Sequence, residues 1–320
     1  MKRTLRLTVA LLLLTVVCSQ PMYAWSDPGH MAVAYVAYQR LTPAKRARVN
    51  ALIRLNPKYN EWVHTLPHGI SQSARNRMVF MIAATWADQI KGDHEHVSDG
   101  PSGGNRPPSD GTADANTGYQ DQAMHKYWHF IDLPFSTDGT PTTPPETPNA
   151  LTQMAAFRAV LASTTAADEL KSYDLVWLMH LVGDVHQPLH ATARFNQQSP
   201  AGDDGGNAVT VCNPQCGGKL HAFWDGLLGS ERSPSPNLVI SRAQTLPAPN
   251  ATTAANVNAQ DWIDESFSIA KSSVYRSPIG AGNGSFTITA NYRNNAKRIA
   301  KQRIALAGAR LAAILNDELQ

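Results

Sequence analysis

A mainly α-helical, single-domain fold is what this sequence predicts, and three observations predict it. Apolar and small residues recur at helical spacing in six segments, whereas strand signals are confined to "AVTV" (208–211) and "SFTIT" (285–289). The polar clusters with chemical potential are scattered from residue 25 to residue 225, so no boundary divides them. No fixed period marks a repeat array. The expected architecture is a multi-helix bundle with long loops and at most a small β-hairpin.

The chain has 320 residues and opens with "MKRTLRLTVALLLLTVVCSQPMYA". A basic start, an apolar run and a small residue at Ala24 read as a secretory signal peptide, residues 1–24. The run is too short for a membrane span. A lipidated Cys18 is the alternative, but "TVVC" lacks the small residue wanted just before it. The expected mature domain is 25–320, secreted or periplasmic, without a membrane anchor and monomeric. Lys2, Arg3 and Arg6 belong to the leader; without them the 28 Lys and Arg fall level with the 25 Asp and Glu. The formal charge of +3 therefore disappears, and no basic footprint for a polyanion remains.

The helices follow in order. "GHMAVAYVAYQRL" comes first. "LTPAKRARVNALIRLN" has Thr42 as N-cap and Pro43 in the first turn. "RNRMVFMIAATWADQIK" is apolar nearly all round and reads as one core helix. "ALTQMAAFRAVLAS" and "SYDLVWLMHLVGDVH" are two more, and a long amphipathic helix covers 290–319. Between them lie polar loops at 92–118, 136–149 and 196–206, long enough to suggest function. Cys212 and Cys216 in "CNPQC" suit a local disulfide in an exported chain; a zinc site is the lesser alternative.

The chemistry concentrates in "LMHLVGDVHQPLH" (178–190). His180 and Asp184 stand four apart, on one helical face, and could grip one ion. Pro188 ends the helix and turns the chain to offer His190. "LHAFWD" repeats the spacing with His221 and Asp225. "WAD" offers Asp88, "YWHF" offers His129, and "WSDPGH" offers His30. If the mature chain begins at Trp25, its amine and carbonyl are ligands too. Imidazole and carboxylate without thiolate suit Zn²⁺, and nine such positions suit three ions rather than one. Clustered metals suit phosphoester hydrolysis. His186 reads as a satisfied core residue, "DHEH" (93–96) as a solvated loop, and His64, His68 and His125 as loop or surface histidines.

In order and spacing, "W-x₄-H", "WAD", "WHF", "H-L-x-GD-x-HQPLH", "GGN" and "LH-x₂-WD" resemble the secreted zinc nucleases of the nuclease S-one/P-one family. Bacterial zinc phospholipases C share that wider fold. The resemblance implies one zinc on Asp88, His129, His180 and Asp184, and a second on His190, His221 and Asp225. A third would take the Trp25 amine and carbonyl, His30 and Asp184, which would bridge. It implies hydrolysis of single-stranded DNA and RNA to 5′-phosphorylated nucleotides, with 3′-nucleotidase activity, and Asp88 orienting the attacking water. Phe130 would stack on a base, Asp132 would hydrogen-bond its edge, and Asn207 would line the same pocket. A phospholipase C is the alternative, with no base to recognise. Two departures stand out: Lys91 replaces the family's arginine clamp on the phosphate, and Thr137 stands about where a lysine is usual. The 92–118 loop is a long insertion beside the ligands.

Overall fold

The computed structural model describes residues 25–320, so the expected leader lies outside the described residues. Thirteen α-helical segments and five short strands make up the described chain, and the mainly α expectation holds. Thr42 caps the Pro43–Ile53 helix by accepting from the Lys45 amide at 3.3 Å, with Pro43 in its first turn. Asn149 and Thr152 form a capping box that starts Ala150–Ala162.

The first and last long helices, Asp27–Arg40 and Ala290–Asp317, pack together. Gly308 sets their approach: a β-carbon there would lie 2.5 Å from Val36 Cβ and 2.7 Å from the Val33 carbonyl. Asp168–Asp184 runs through the interior and is buried continuously from Lys171 to Asp184. It therefore has no polar side, and its polar groups must find partners inside. Behind it, His186 fits the core reading. Its Nδ1 donates to the Val182 carbonyl at 2.8 Å, and Arg310 Nη1 lies 3.0 Å from its Nε2. Arg303 and Arg310 are themselves paired with Glu265.

The segment 75–91 is not one helix. Gln72–Ala83 ends, and Trp86–Gln89 starts again as a separate turn. Thr85 Oγ1 donates back to the Ile82 carbonyl and accepts from Gln89 Nε2. The Ala84 carbonyl is thereby released from helical bonding and takes the proton of His180 Nδ1 at 2.8 Å. Periodicity alone could not show a break whose purpose is a tertiary contact.

Thr210–Cys212, near the first strand signal, pairs with Cys216–Lys219, which carried no strand signal, in a small hairpin closed by the Cys212–Cys216 disulfide. Phe286–Thr287 extends it in parallel. A further parallel pair, Pro134–Ser136 with Ala193–Phe195, has no clear sequence signal. It matters because it sutures two functional segments. Ile131 N donates to the His190 carbonyl at 2.9 Å, and Ala193 N to the Leu133 carbonyl at 3.0 Å.

The 92–118 insertion rests on an aromatic cluster of Trp86, Trp128, Tyr173 and Trp177. Trp128 Nε1 donates to the Ala113 carbonyl at 2.9 Å. His125, expected as a loop or surface residue, stands in a loop but is buried and stacked on Trp128 with ring centroids 3.5 Å apart. Asp99 and Asp121 flank its two ring nitrogens at 2.9 and 2.7 Å. Asp121 stands four residues before His125, but Asp99 arrives through the folded insertion, and spacing alone did not reveal the burial.

Candidate metal centre

Three groups of donors converge among the described residues: His30, His180 and Asp184; Asp88, His129 and His180; and His190, His221 and Asp225. Within each group the donor atoms lie within 4.8 Å of one another, and every residue is buried. Four separate pieces of chain supply the first two groups. Helix Asp27–Arg40 brings His30, and the turn Trp86–Gln89 brings Asp88. The 3-10 turn Lys126–His129 brings His129, and the end of Asp168–Asp184 brings His180 and Asp184. Asp184 is central. Its Oδ1 is 3.3 Å from His30 Nε2, and its Oδ2 is 3.0 Å from His129 Nδ1 and 3.4 Å from His180 Nε2.

The imidazoles are oriented from behind. His180, His190 and His221 donate Nδ1–H to the carbonyls of Ala84, His129 and Gly205 at 2.8, 2.8 and 2.7 Å. A carbonyl can only accept, so each ring in its neutral form turns a bare Nε2 lone pair inward. His190 and His221 then face each other with Nε2 atoms 3.0 Å apart. Two lone pairs at that distance repel unless a cation lies between them. Burial pushes His221 down to about 3 and lowers His190, so a proton is the less suitable cation. Inward atoms of the other groups are also unpartnered: both nitrogens of His30, Asp88 Oδ2, His180 Nε2 and Asp184 Oδ1. Burying so many polar atoms without partners is costly. Divalent metal ions fit that donor set.

The charges agree. Burial pushes His30 down to about 4 and His129 to about 3, which keeps them in the ligating neutral form. Burial alone would raise Asp88 and Asp184. Lys91 beside Asp88, and His180 with a hydrogen bond from His129 beside Asp184, outweigh it and hold both carboxyls well below the usual range. The same two carboxylates raise His180 against its burial, so a cation is favoured at its Nε2. Burial pushes Asp225 well up, although Gln187 Nε2 donates to its Oδ1 at 2.8 Å. The same Gln187 accepts from Leu189 N and so shapes the turn that presents His190.

A pocket of about 650 Å³ opens beside the His190 group, with His221, Phe130, Asp132 and Asp204 in its wall. Burial, with Asp204 and Asp203 adding like charge, pushes Asp132 up to about 7.

A family model described as S1/P1 Nuclease matches residues 25–320. The chain belongs to the S1/P1 nuclease family. Nuclease is the activity named in that family's description, and it is the first of the two activities read from the sequence. Endonuclease 4 of Arabidopsis thaliana is 32% identical over 73 residues, and this match spans 22% of each chain. No described helix is long and apolar enough to cross a membrane.

The structure brings eight of the nine candidate ligands of this S1/P1 nuclease family member into those groups, and Trp25 is in none of them. Trp25 is buried, its Cβ close against Gly29, and the adjoining Ser26 bonds the Asp225 carbonyl through N at 3.2 Å and Oγ at 3.1 Å. Lys91 is nearly buried and donates to Asp88 Oδ1 at 2.7 Å. Phe130 and Asp132 line the pocket; Asn207 stands next to it, its side-chain amide donating to the Asp204 carbonyl at 2.8 Å. Sequence reasoning missed Gln187, Asp204 and Gly205. Gly205 carried one legible signal, its place in "GDDGGN". It holds φ +58°, and a β-carbon would lie 2.4 Å from the Leu189 carbonyl, so only glycine can place its own carbonyl on His221.

Proposed function

We propose that the chain is an exported trinuclear zinc phosphodiesterase. It hydrolyses single-stranded DNA and RNA to 5′-phosphorylated nucleotides and also acts as a 3′-nucleotidase. The observation that carries the reading is the pair of imidazole lone pairs 3.0 Å apart, beside two further buried donor groups with unpartnered inward atoms. Asp88, His129, His180 and Asp184 would hold one ion, and His190, His221 and Asp225 a second. The Trp25 amine and carbonyl, His30 and Asp184 would hold a third. That last set requires the leader to be removed after Ala24, which agrees with export and with the disulfide. Bound there, the ions would supply an activated water at neutral pH and neutralise charge on the phosphate and leaving oxygens.

The chain's own residues do the rest. Asp88 Oδ1 takes the Lys91 ammonium, which leaves Oδ2 to accept from and orient the attacking water. Lys91 adds positive charge next to the phosphate, as a point charge rather than the fork of an arginine. Phe130 offers a face to a base and Asp132 a hydrogen-bonding edge. A base enters such a pocket only when unstacked, which supports a preference for single strands. The mature chain has no net positive charge, so recognition of the polyanion is local.

The test is product analysis of single-stranded DNA incubated with protein that starts at Trp25, with and without chelator. Release of 5′-phosphorylated products that chelator abolishes is expected. Release of 3′-phosphorylated products, or cleavage indifferent to chelator, would sink the reading.

A further inference from the structure

We propose that the tip of the 92–118 insertion belongs to the substrate site, and that Arg106 binds a phosphate of the nucleic acid one nucleotide from the bond being cut. The proposal rests on the reading above that the pocket takes a nucleotide.

The pocket has two walls of different origin. One carries Phe130 and Asp132; the other is the insertion, through Ser102, Asn105, Arg106 and Pro107. Three carboxylates, Asp132, Glu146 and Asp204, line the cavity. Arg106 is the sole Lys or Arg among the described residues lining it. A nucleotide seated there brings its own phosphates into an acidic cavity, and one cation stands ready to meet them.

Arg106 is aimed rather than loose. Its Nε donates to the two Glu146 carboxylate oxygens at 2.9 and 3.0 Å, and Nη2 donates to the same carboxylate. These bonds fix the plane of the guanidinium and leave Nη1 for a ligand. The pair is exposed, with side-chain accessibilities of 60% and 43%, so it is worth little by itself and gives way readily to a phosphate. Guanidinium groups take phosphate oxygens through paired hydrogen bonds.

The loop beneath Arg106 is built to hold it. Gly100 lets the chain close on itself: a β-carbon there would lie 2.0 Å from the Arg106 carbonyl oxygen. Val97 N donates to the Gln122 carbonyl at 2.8 Å, and Met124 N to the Val97 carbonyl at 2.9 Å. Asp99 accepts from the His125 amide at 2.9 Å and from Tyr127 Oη at 2.6 Å. Lys126 Nζ donates to the Gly103 carbonyl at 2.8 Å. The stretch that anchors the loop, 124–127, leads directly into His129 and Phe130. Arg106 and the base-stacking ring therefore share one foundation.

The chemistry identifies the phosphate. With the base on Phe130 and the 3′ ester at the metal centre, the remaining anionic group of the pocket nucleotide is its 5′-phosphate. The site should thus discriminate between substrates that carry that group and those that lack it.

Thymidylyl-thymidine with and without a 5′-phosphate isolates the effect. Both are hydrolysed by zinc-loaded enzyme that starts at Trp25, and the ratio of their kcat/KM values is read. In the unsubstituted enzyme the 5′-phosphate should raise kcat/KM by about tenfold, the worth of one charge-assisted contact, chiefly through KM. Arg106→Gln should bring the ratio close to one, and Arg106→Lys should restore part of it. A ratio that Arg106→Gln leaves unchanged, while Phe130→Ala impairs both substrates, overturns the role of Arg106 and spares the nucleotide pocket. If Phe130→Ala impairs neither substrate, the pocket reading fails and this proposal falls with it.

Discussion

Gly183 lies directly against the ring of His30: a β-carbon at 183 would sit 2.7 Å from His30 Nδ1 and 3.0 Å from Cε1. The ring cannot turn away freely, because it is stacked on His180 with centroids 3.8 Å apart. Gly183→Ala should therefore push His30 out of the centre without touching a ligand. Overpacking of this kind costs about 1–3 kcal/mol. The expected result is a folded protein that has lost one metal equivalent and at least about tenfold in activity, since ligand displacement of this size is felt at that level. Full metal content with full activity would show that His30 ligates nothing.

Asp184 reaches three histidines from its two oxygens. Asp184→Asn keeps the shape and removes the charge. It should cost two of three zinc ions, counted by elemental analysis of dialysed protein, and abolish hydrolysis. Loss of one ion alone would mean that the carboxylate serves a single metal and that His30 belongs to another arrangement.

The third ion is expected to depend on a free amine at Trp25. Ser26 ties the neighbouring backbone to the Asp225 carbonyl, so Trp25 is held in place whether or not it ligates. A tag joined directly to Trp25 should leave two zinc ions per chain, and its removal should restore three. Three ions with the tag still in place would refute ligation by the amine.

The converging donors were legible because local geometry repeats in the sequence: His180 with Asp184, and His221 with Asp225, are four apart on helices that do form. What orients them was not legible. The Ala84 carbonyl becomes available only because the helix breaks there, and the Gly205 carbonyl only because a left-handed glycine turns it. The burial of His125, read as a loop or surface residue, was not legible either. One carboxylate partner, Asp121, is local, but the other, Asp99, arrives by tertiary contact from a segment whose composition reads as plain loop. The six helical segments were visible as apolar patterns. The break in 75–91 was not, since each half satisfies that pattern equally well.

Phe130→Ala should lower kcat/KM on single-stranded DNA by an amount equivalent to about 1–3 kcal/mol, the worth of one stacked base. Metal content should not change, because Phe130 lines the pocket and is in none of the donor groups. Unchanged kcat/KM would place the base elsewhere.

Asp174 offers a test of stability that is independent of the metals. It is fully buried, its Oδ2 accepts from Asn116 Nδ2 at 3.0 Å, and neither its Oδ1 nor Asn116 Oδ1 has a partner. Burial pushes its pKa up to about 8, against the lowering effect of the Asn116 bond. In the unfolded chain the value is about 3.9. The folded state therefore holds a proton that the unfolded state gives up between about pH 4 and pH 8, and stability falls as pH rises across that window. The stabilising protonated form is fully present below pH 4 and is lost as pH passes through about 8. Asp174→Asn keeps an acceptor for Asn116, brings a donor to the same amide pair and removes the charge. It should raise the melting temperature at pH 8, by the equivalent of about 1–3 kcal/mol for one relieved buried group. The advantage should shrink steadily as the pH of the melt is lowered toward 4. An Asp174→Asn protein less stable than the original at pH 8 would mean that the ionised carboxylate has a compensating partner.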